Sequence, residues 1–304
     1  MKIIHLTFDL DNDFFEKSFS QNRNLNNKWD GFRIGVPKIF EIINKFEKKY
    51  NTKIKSTWFV RIDKDIEDEF GDACYFLKKF IEIHETDNVE IGWHPHIYKK
   101  NSKTKFENND KFIIDEMDYI YNKIVGIRSN IKSFRMGGMY MSNKILNFLQ
   151  EKSFKIDSSS FPGRCREDDI FSFDWINSID KPYYPSKKNI KISSQNINDN
   201  FKLLEIPLST IKVKANYDKI YFDRYLDLSF HNKLISKKIE KYISENDYIT
   251  IIYHPCCILD GIYANHELIN FGSSNFKNNL KIIFNTLIKN RLNFNFQNLS
   301  EFSI

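Results

Sequence analysis

The chain has 304 residues, of which 41% are hydrophobic and 28% charged, with ten glycines, seven prolines and a formal net charge of +6. This composition excludes collagen-like, low-complexity and wholly disordered chains, which contain more glycine and proline or fewer apolar residues. The basic residues are scattered along the chain, so we expect no nucleic-acid partner. Length alone suggests about two domains, but α/β barrels of more than about 250 residues fold as one. We therefore expect a single domain over residues 1–304.

Neither a membrane-spanning segment nor a signal peptide is predicted. No run approaches the roughly 18 apolar residues that a spanning helix needs. The first apolar run leads directly into Asp9, Asp11 and Asp13, with no small-residue cleavage site. We expect a cytoplasmic protein, and peripheral contact with a membrane surface stays open.

Short apolar runs alternate with longer segments of helical periodicity. The predicted strands are Lys2–Phe8, Ile54–Val60, Val89–Gly92, Ser133–Arg135, Leu203–Leu208 and Tyr248–Tyr253. The predicted helices are Val36–Tyr50, Phe112–Val125, Asn143–Gln150, Lys233–Ser244 and Asn279–Lys289. Strands that alternate with helices indicate βα units and a mainly parallel sheet or barrel. The polar stretches at 99–110 and 186–200 are predicted to be surface loops.

Polar residues that directly follow the strands are the candidate functional groups, because chemistry in α/β folds collects at the carboxyl ends of strands. Asp9 and Asp11 follow the first strand at positions i and i+2, which face the same side of an extended chain. Two such carboxylates repel one another unless a cation or a proton lies between them. The alternative is a solvated turn.

His94 and His96 follow the third strand with the same i, i+2 spacing. Neutral imidazoles are ligands for zinc and similar ions, and Asp11 would complete a set of two histidines and one carboxylate. Such a set leaves coordination positions open for water and substrate. His254 ends the last predicted strand, where an imidazole can donate a proton near neutral pH. Arg135 can pair with a carboxylate.

In this order, the motifs resemble those of the NodB-homology polysaccharide deacetylases, which are carbohydrate esterase family four and its wider superfamily. The Gly-Trp-His-Pro-His form resembles a divergent, WbmS-like branch from O-antigen gene clusters. The resemblance covers about residues 3 to 258. The matching segments are Thr7-Phe8-Asp9-Leu10-Asp11, Ser56-Thr57-Trp58-Phe59, Glu90-Ile91-Gly92-Trp93-His94, Phe134-Arg135 and His254-Pro255.

The resemblance implies a distorted (β/α) barrel of about seven strands and a metal-dependent hydrolase of N-acyl sugars. It also implies roles for individual residues. Asp9 matches the general base, Asp11 and His94 match metal ligands, Arg135 matches the arginine that holds the base, and His254 matches the general acid.

This sequence departs from the family pattern at the second histidine. The family has it four residues after the first, where Tyr98 stands here, so His96 is predicted as the replacement ligand. The family also pairs its acid histidine with an aspartate near an Asp-Trp motif. Asp174 in Asp174-Trp175 is the first candidate for that role, and Asp157 is its rival.

The implied substrate is an N-acylated sugar, nucleotide-linked or lipid-linked, that carries an acetyl or a formyl group. The implied cofactor is one divalent metal ion, with zinc as first choice and cobalt, nickel or manganese as alternatives. Two other functions stay open. An amidohydrolase also uses a His-x-His pair, but there the pair opens the barrel, whereas here Asp9 and Asp11 come first. A barrel that binds carbohydrate without turnover is the second.

Overall fold

The computed structural model describes residues 1–13, 29–84, 86–100, 106–167, 172–260 and 266–304. The α-helices are α1 (Val36–Tyr50), α2 (Lys64–Phe70), α3 (Tyr75–His84), α4 (Asp110–Val125), α5 (Asn143–Glu151), α6 (Asn232–Glu245) and α7 (Ser273–Lys289). The strands are β1 (Lys2–Leu10), β2 (Ser56–Val60), β3 (Val89–Trp93), β4 (Lys99–Lys100), β5 (Phe106–Glu107), β6 (Ser133–Phe134), β7 (Ile156–Asp157), β8 (Cys165–Glu167), β9 (Ser172–Asp174), β10 (Leu204–Glu205), β11 (Thr210–Val213), β12 (Phe222–Tyr225), β13 (Tyr248–Tyr253) and β14 (Phe294–Phe296).

The main sheet has the strand order β10-β7-β6-β3-β2-β1-β13, and β14 pairs with β1 beside this path. The pairs of β1 with β13, β3 with β6, β6 with β7 and β7 with β10 are parallel. α-Helices separate most of these strands along the chain, as βα units require, whereas β8, β9 and a short 3-10 turn lie between β7 and β10. The predicted distorted (β/α) barrel of about seven strands is confirmed.

Contacts divide the chain into two compact units. The first unit comprises Met1–Ser56 and Ile211–Gln297, and the second comprises Thr57–Thr210 and Asn298–Ile304. The expectation of a single domain over residues 1–304 stays a prediction.

The first unit is built on β1, whose nine residues are all buried, as a strand covered on both faces requires. A short π-helix, Gly31–Gly35, leads into α1. A Cβ atom at Gly35 would lie 2.4 Å from the carbonyl oxygen of Pro255, so only glycine allows this approach. The close approach holds the chain directly after His254.

In the second unit the strands of the sheet are short. Loop residues, as well as the hydrogen bonds between strands, therefore determine which strands lie side by side. Helices α4 and α5 begin at Asn109 and Ser142, whose side chains accept hydrogen bonds from backbone N–H groups of the first turn. A cluster of buried apolar side chains packs together in this unit: Phe59, Ile156, Leu204, Ile206 and Leu299. Because these strands are short, the polar residues that follow them lie close to the backbone of neighbouring segments.

The helix prediction is correct for α1 at both ends, and within two residues for α4, α5 and α6. Helix α7 begins six residues before the predicted start at Asn279, because Asn275 and Phe276 extend its buried face. Helices α2 and α3 were not predicted. Residues 101–105 of the predicted 99–110 loop lie outside the described residues, and the 186–200 loop contains one short 3-10 turn, Ile197–Asp199. Among the described residues, no helix is sufficiently long and apolar to span a membrane.

Candidate active site

In the first unit, Asp9 and His254 occupy equivalent strand ends. Strands β1 and β13 run parallel, and the register pairs Phe8 with Tyr253. Asp9 follows Phe8 and His254 follows Tyr253, so the two residues lie side by side at the carboxyl edge of the sheet. Asp9 is 1% exposed, and such burial is expected of a carboxylate only where it has polar partners.

Asp11 lies beyond the end of β1, near the same imidazole. His254 Nε2 is 3.9 Å from Asp11 Oδ2, and the two side chains are only 20% and 14% exposed. The predicted strand-end placement of Asp9, Asp11 and His254 thus brings two carboxylates and one imidazole together.

Sequence reasoning missed Asp227, a fully buried carboxylate on the segment after β12. Its backbone bridges to Ile252 of β13, and its Oδ1 accepts the backbone N–H of Ser229 at 2.7 Å. Burial raises the pKa of Asp227 to about 6, and the nearby His254 opposes this rise. A signal was present: Asp227 interrupts an apolar run as Leu226-Asp227-Leu228. A lone carboxylate in a buried run indicates a specific partner.

In the second unit, His94 is held by backbone on two sides. Its N–H donates to the carbonyl of Val60 at 2.9 Å, and its Nδ1 lies 2.7 Å from the carbonyl oxygen of Arg135. A carbonyl only accepts, so Nδ1 carries the proton, and the neutral ring presents a lone pair at Nε2. His96 Nε2 lies 3.2 Å from that Nε2. Two ring nitrogens that converge in this way suit joint coordination of an ion.

His96 is held from three directions. Its backbone N–H donates to Asp63 Oδ2 at 3.0 Å, and Asp63 also caps the start of α2. The hydroxyl of Tyr98 is 3.4 Å from His96 Nδ1. A Cβ atom at Gly137 would lie 2.2 Å from the imidazole, so glycine is required there. Tyr98 occupies the position at which the resembled family has its second histidine. Its hydroxyl contacts the other ring nitrogen of His96, Nδ1.

The side chains of the two histidines fit a divalent metal ion. His94 Nε2 and His96 Nε2 lie 3.2 Å apart in the second unit, and Asp11 of the first unit offers a carboxylate oxygen. Two neutral imidazoles and a carboxylate are a ligand set of catalytic zinc sites, and the Nδ1 hydrogen bond of His94 is the outer contact that such ligands usually make.

Arg135 is fully buried in the second unit. Its Nε donates to the carbonyl of Ser158 at 2.9 Å, its Nη2 donates to Ser158 Oγ at 3.0 Å, and its guanidinium lies 4.2 Å from the centre of the Phe59 ring. A buried guanidinium needs a counter-charge as well as hydrogen bonds.

Asp174 lies in the second unit, in a surface setting. Its carboxylate accepts from Lys191 at 2.6 Å and from the backbone N–H of Ile176, and 60% of the side chain is exposed. Trp175 beside it is buried and donates its indole N–H to the carbonyl of Met139. Asp174 and Trp175 border a cleft of about 540 Å³. Asp227, and not Asp174, is the aspartate found with His254 in the first unit.

Searches of family models and of curated proteins find no match to this chain. Solved structures do match. A candidate glycoside hydrolase/deacetylase from Parabacteroides distasonis has a TM-score of 0.63 at 12% identity, over 98% of this chain and 69% of that one. A candidate polysaccharide deacetylase from Mycobacterium smegmatis has a TM-score of 0.55 at 12% identity, over 98% and 87%.

The chain therefore has the fold of the polysaccharide deacetylases, and the predicted resemblance is confirmed at the level of fold. A candidate polysaccharide deacetylase of O-antigen biosynthesis from Bordetella bronchiseptica matches at a TM-score of 0.40 and 11% identity, over 91% of this chain and 88% of that one. At that TM-score the likeness supports no conclusion about the WbmS-like branch, which stays a prediction.

Proposed function

We propose that this protein is a metal-dependent hydrolase that removes an N-acyl group, acetyl or formyl, from a sugar used in surface polysaccharide synthesis. The observation that carries the proposal is the convergence of His94 Nε2 and His96 Nε2 in a chain with the fold of the polysaccharide deacetylases. The sugar that we propose is a nucleotide-linked or lipid-linked precursor.

Asp11, His94 and His96 would hold the metal ion, for which zinc is the first choice. A bound divalent ion lowers the pKa of water towards neutrality and polarises the acyl carbonyl. The role of the chain is to fix the two imidazoles: the carbonyl of Arg135 sets the tautomer of His94, and Asp63 and Gly137 set the position of His96.

Proton transfer is assigned to Asp9 and His254. Asp9 takes a proton from the attacking water, and the remaining hydroxyl adds to the acyl carbon. His254 gives a proton to the sugar nitrogen as the C–N bond breaks, so that an acid and an amine leave. Arg135 would hold the carboxylate of Asp9 in place.

Asp227 takes the role that the sequence predicted for Asp174. The buried carboxylate of Asp227 lies near His254, and we assign it the orientation of that imidazole. Asp174 is already engaged by Lys191 at the surface.

Metal content per chain tests the ligand set. We expect about one ion in the wild type and little in His94→Ala or His96→Ala, because each removes one of three protein ligands. His84→Ala, which changes a histidine of α3 away from the site, should retain the ion. Loss with His94→Ala alone would move the third ligand to Tyr98 or another group, and no ion in reconstituted wild type would overturn the metal-dependent reaction.

Release of free amine from a panel of N-acetyl and N-formyl hexosamines tests the reaction. Each sugar is offered free, as the nucleoside diphosphate and as the lipid diphosphate. Turnover of the linked forms above the free sugar supports the substrate assignment. Turnover of none of them by metal-loaded protein favours the carbohydrate-binding alternative.

A further inference from the structure

Two buried carboxyl groups of the second unit lie side by side and have no part in the proposed reaction. Asp157 ends β7 and Glu205 ends β10, and the parallel register places them directly opposite one another. Asp157 is 0% exposed and Glu205 is 1% exposed. Acidic side chains are almost never buried to this degree unless they are paired.

Their hydrogen bonds leave one oxygen of each for the other. Ser159 Oγ donates to Asp157 Oδ1 at 2.6 Å, and the backbone N–H of Ser160 donates to Glu205 Oε1 at 3.0 Å. The second oxygen of Asp157, Oδ2, is buried and has no hydrogen-bond donor among the described residues. Because two ionised carboxylates at directly opposite positions of a buried parallel pair repel one another, one of them takes up a proton and donates it to the other. The pair therefore holds one proton and one negative charge.

The charged group that faces both carboxyls is the guanidinium of Arg135. It is joined to the pair through Ser158, whose carbonyl and hydroxyl accept from Arg135 and whose backbone follows Asp157 directly. Tyr183 also faces the pair, but its hydroxyl donates to the carbonyl of Ile190, and burial raises its pKa far above neutrality. A buried cation thus lies beside the buried pair.

The proton belongs mainly to Glu205. Burial raises the pKa of Asp157 to about 6, whereas burial and the neighbouring Asp157 together raise the pKa of Glu205 well above its usual value. Arg135 opposes the rise for both groups. At neutral pH the arrangement is a protonated Glu205 that donates to an ionised Asp157.

We propose that Asp157 and Glu205 form a positioning pair, which shares one proton and holds the single negative charge that fixes the guanidinium of Arg135. The catalytic consequence rests on the proposed function, in which Arg135 holds Asp9 in place. The proton and the charge pairing do not depend on it.

Urea unfolding as a function of pH tests the shared proton. A carboxyl with a raised pKa in the folded state stabilises the protein at low pH and loses that contribution as the pH rises through the folded value. Glu205→Gln donates the same hydrogen bond but cannot ionise. Between about pH 5 and pH 9 we expect the wild-type midpoint to fall relative to that of Glu205→Gln.

Glu151→Gln, a matched change at an exposed glutamate of α5, should follow the wild type. Parallel pH profiles for the wild type and Glu205→Gln would overturn the shared proton.

A set of amide variants tests the charge. Asp157→Asn and Glu205→Gln each leave one ionisable carboxyl in the pair beside Arg135, whereas the double variant removes both. We expect the double variant to unfold at a lower urea concentration than the two single effects together predict, and Arg135→Met to restore part of that loss, since it removes the cation that the pair balanced. Additive effects with no restoration would show that the pair does not balance Arg135.

Turnover then tests the link to the reaction. Misplacement of a group by about 1 Å can lower kcat by about 100-fold. We expect a loss of this size in the double variant beyond the product of the two single effects, with KM little changed. If the wild type turns over none of the sugars, the proposed function fails, and the two unfolding experiments still decide the pair. If it turns them over and the double variant shows only the product of the single effects, the positioning role is wrong.

Discussion

Both units hold polar groups at buried strand ends, but they do so with different parts of the chain. In the second unit, backbone carbonyls and serine hydroxyls hold His94 and Arg135. In the first unit, two side-chain amides of α7 hold the turn that carries Asp227. Asn275 and Asn279 are 4% and 0% exposed.

The amides of α7 bind three consecutive carbonyl groups. Asn275 Nδ2 donates to the carbonyls of Leu228, Ser229 and Phe230, and Asn279 Nδ2 donates to those of Leu228 and Phe230. This turn follows no regular ladder, so its carbonyls need other donors. A hydrogen bond from an asparagine side chain can be removed by one substitution. The support that a backbone carbonyl gives to a side chain can be disturbed only by a neighbouring substitution that adds volume or charge.

The largest effect is expected for Asp9→Asn, which changes a strand-end carboxylate of the first unit without changing its shape. Loss of a general base should lower kcat by about 100- to 10,000-fold. Metal content should stay at the wild-type level, because Asp11 and not Asp9 is the proposed ligand. Both are read from one preparation by turnover and by metal analysis. Equal loss of metal and activity would contradict this division of roles.

A matched pair of aspartates sharpens the comparison between the units. Asp227→Asn should lower kcat by about 100-fold, since His254 loses the carboxylate that is proposed to orient its imidazole. Asp174→Asn should leave kcat near the wild-type value, because an exposed ion pair with Lys191 contributes about 0–1 kcal/mol. The reverse order in kcat would restore the assignment made from the Asp-Trp motif.

A larger side chain at Gly137 tests how the second unit holds His96. Gly137→Ala places a methyl group against the ring of His96, so metal affinity should fall by about 10- to 100-fold. Gly126→Ala is the control, since the nearest atom to its new Cβ would be at 3.5 Å, an ordinary contact. Competition with a chelator measures both variants. Unchanged affinity in Gly137→Ala would mean that His96 does not bind the ion.

The smallest effect is expected at α7. Asn279→Ala leaves the carbonyls of Leu228 and Phe230 with one donor fewer, which should cost about 1–3 kcal/mol of unfolding free energy. If these amides position Asp227, the pH dependence of kcat should also shift. Asn285→Ala, at an exposed position of the same helix, should change neither quantity. A stability loss without a shifted pH profile would limit Asn279 to a structural role.

Local pattern was sufficient for the elements that carry the site. An apolar run that ends in charge predicts a buried strand with a polar edge, which located β1 and β13 and the groups after them. The i, i+2 spacing grouped the two aspartates and, separately, the two histidines, since alternation in an extended chain is a property of the backbone. Helix α1 was predicted to the residue because its apolar period is long and uninterrupted.

Only the tertiary structure decided which groups are partners. Asp227 and His254 meet because the Asp227 segment bridges to β13, and Asp157 meets Glu205 through the register of β7 with β10. Apolar periodicity predicts that a residue is buried, but not which distant strand lies beside it, since register is set by packing across the whole sheet. Asp174 and Asp227 each have a local pattern that suits the role. Asp227 is the one buried near the imidazole in the first unit, and the choice between the two stays a prediction.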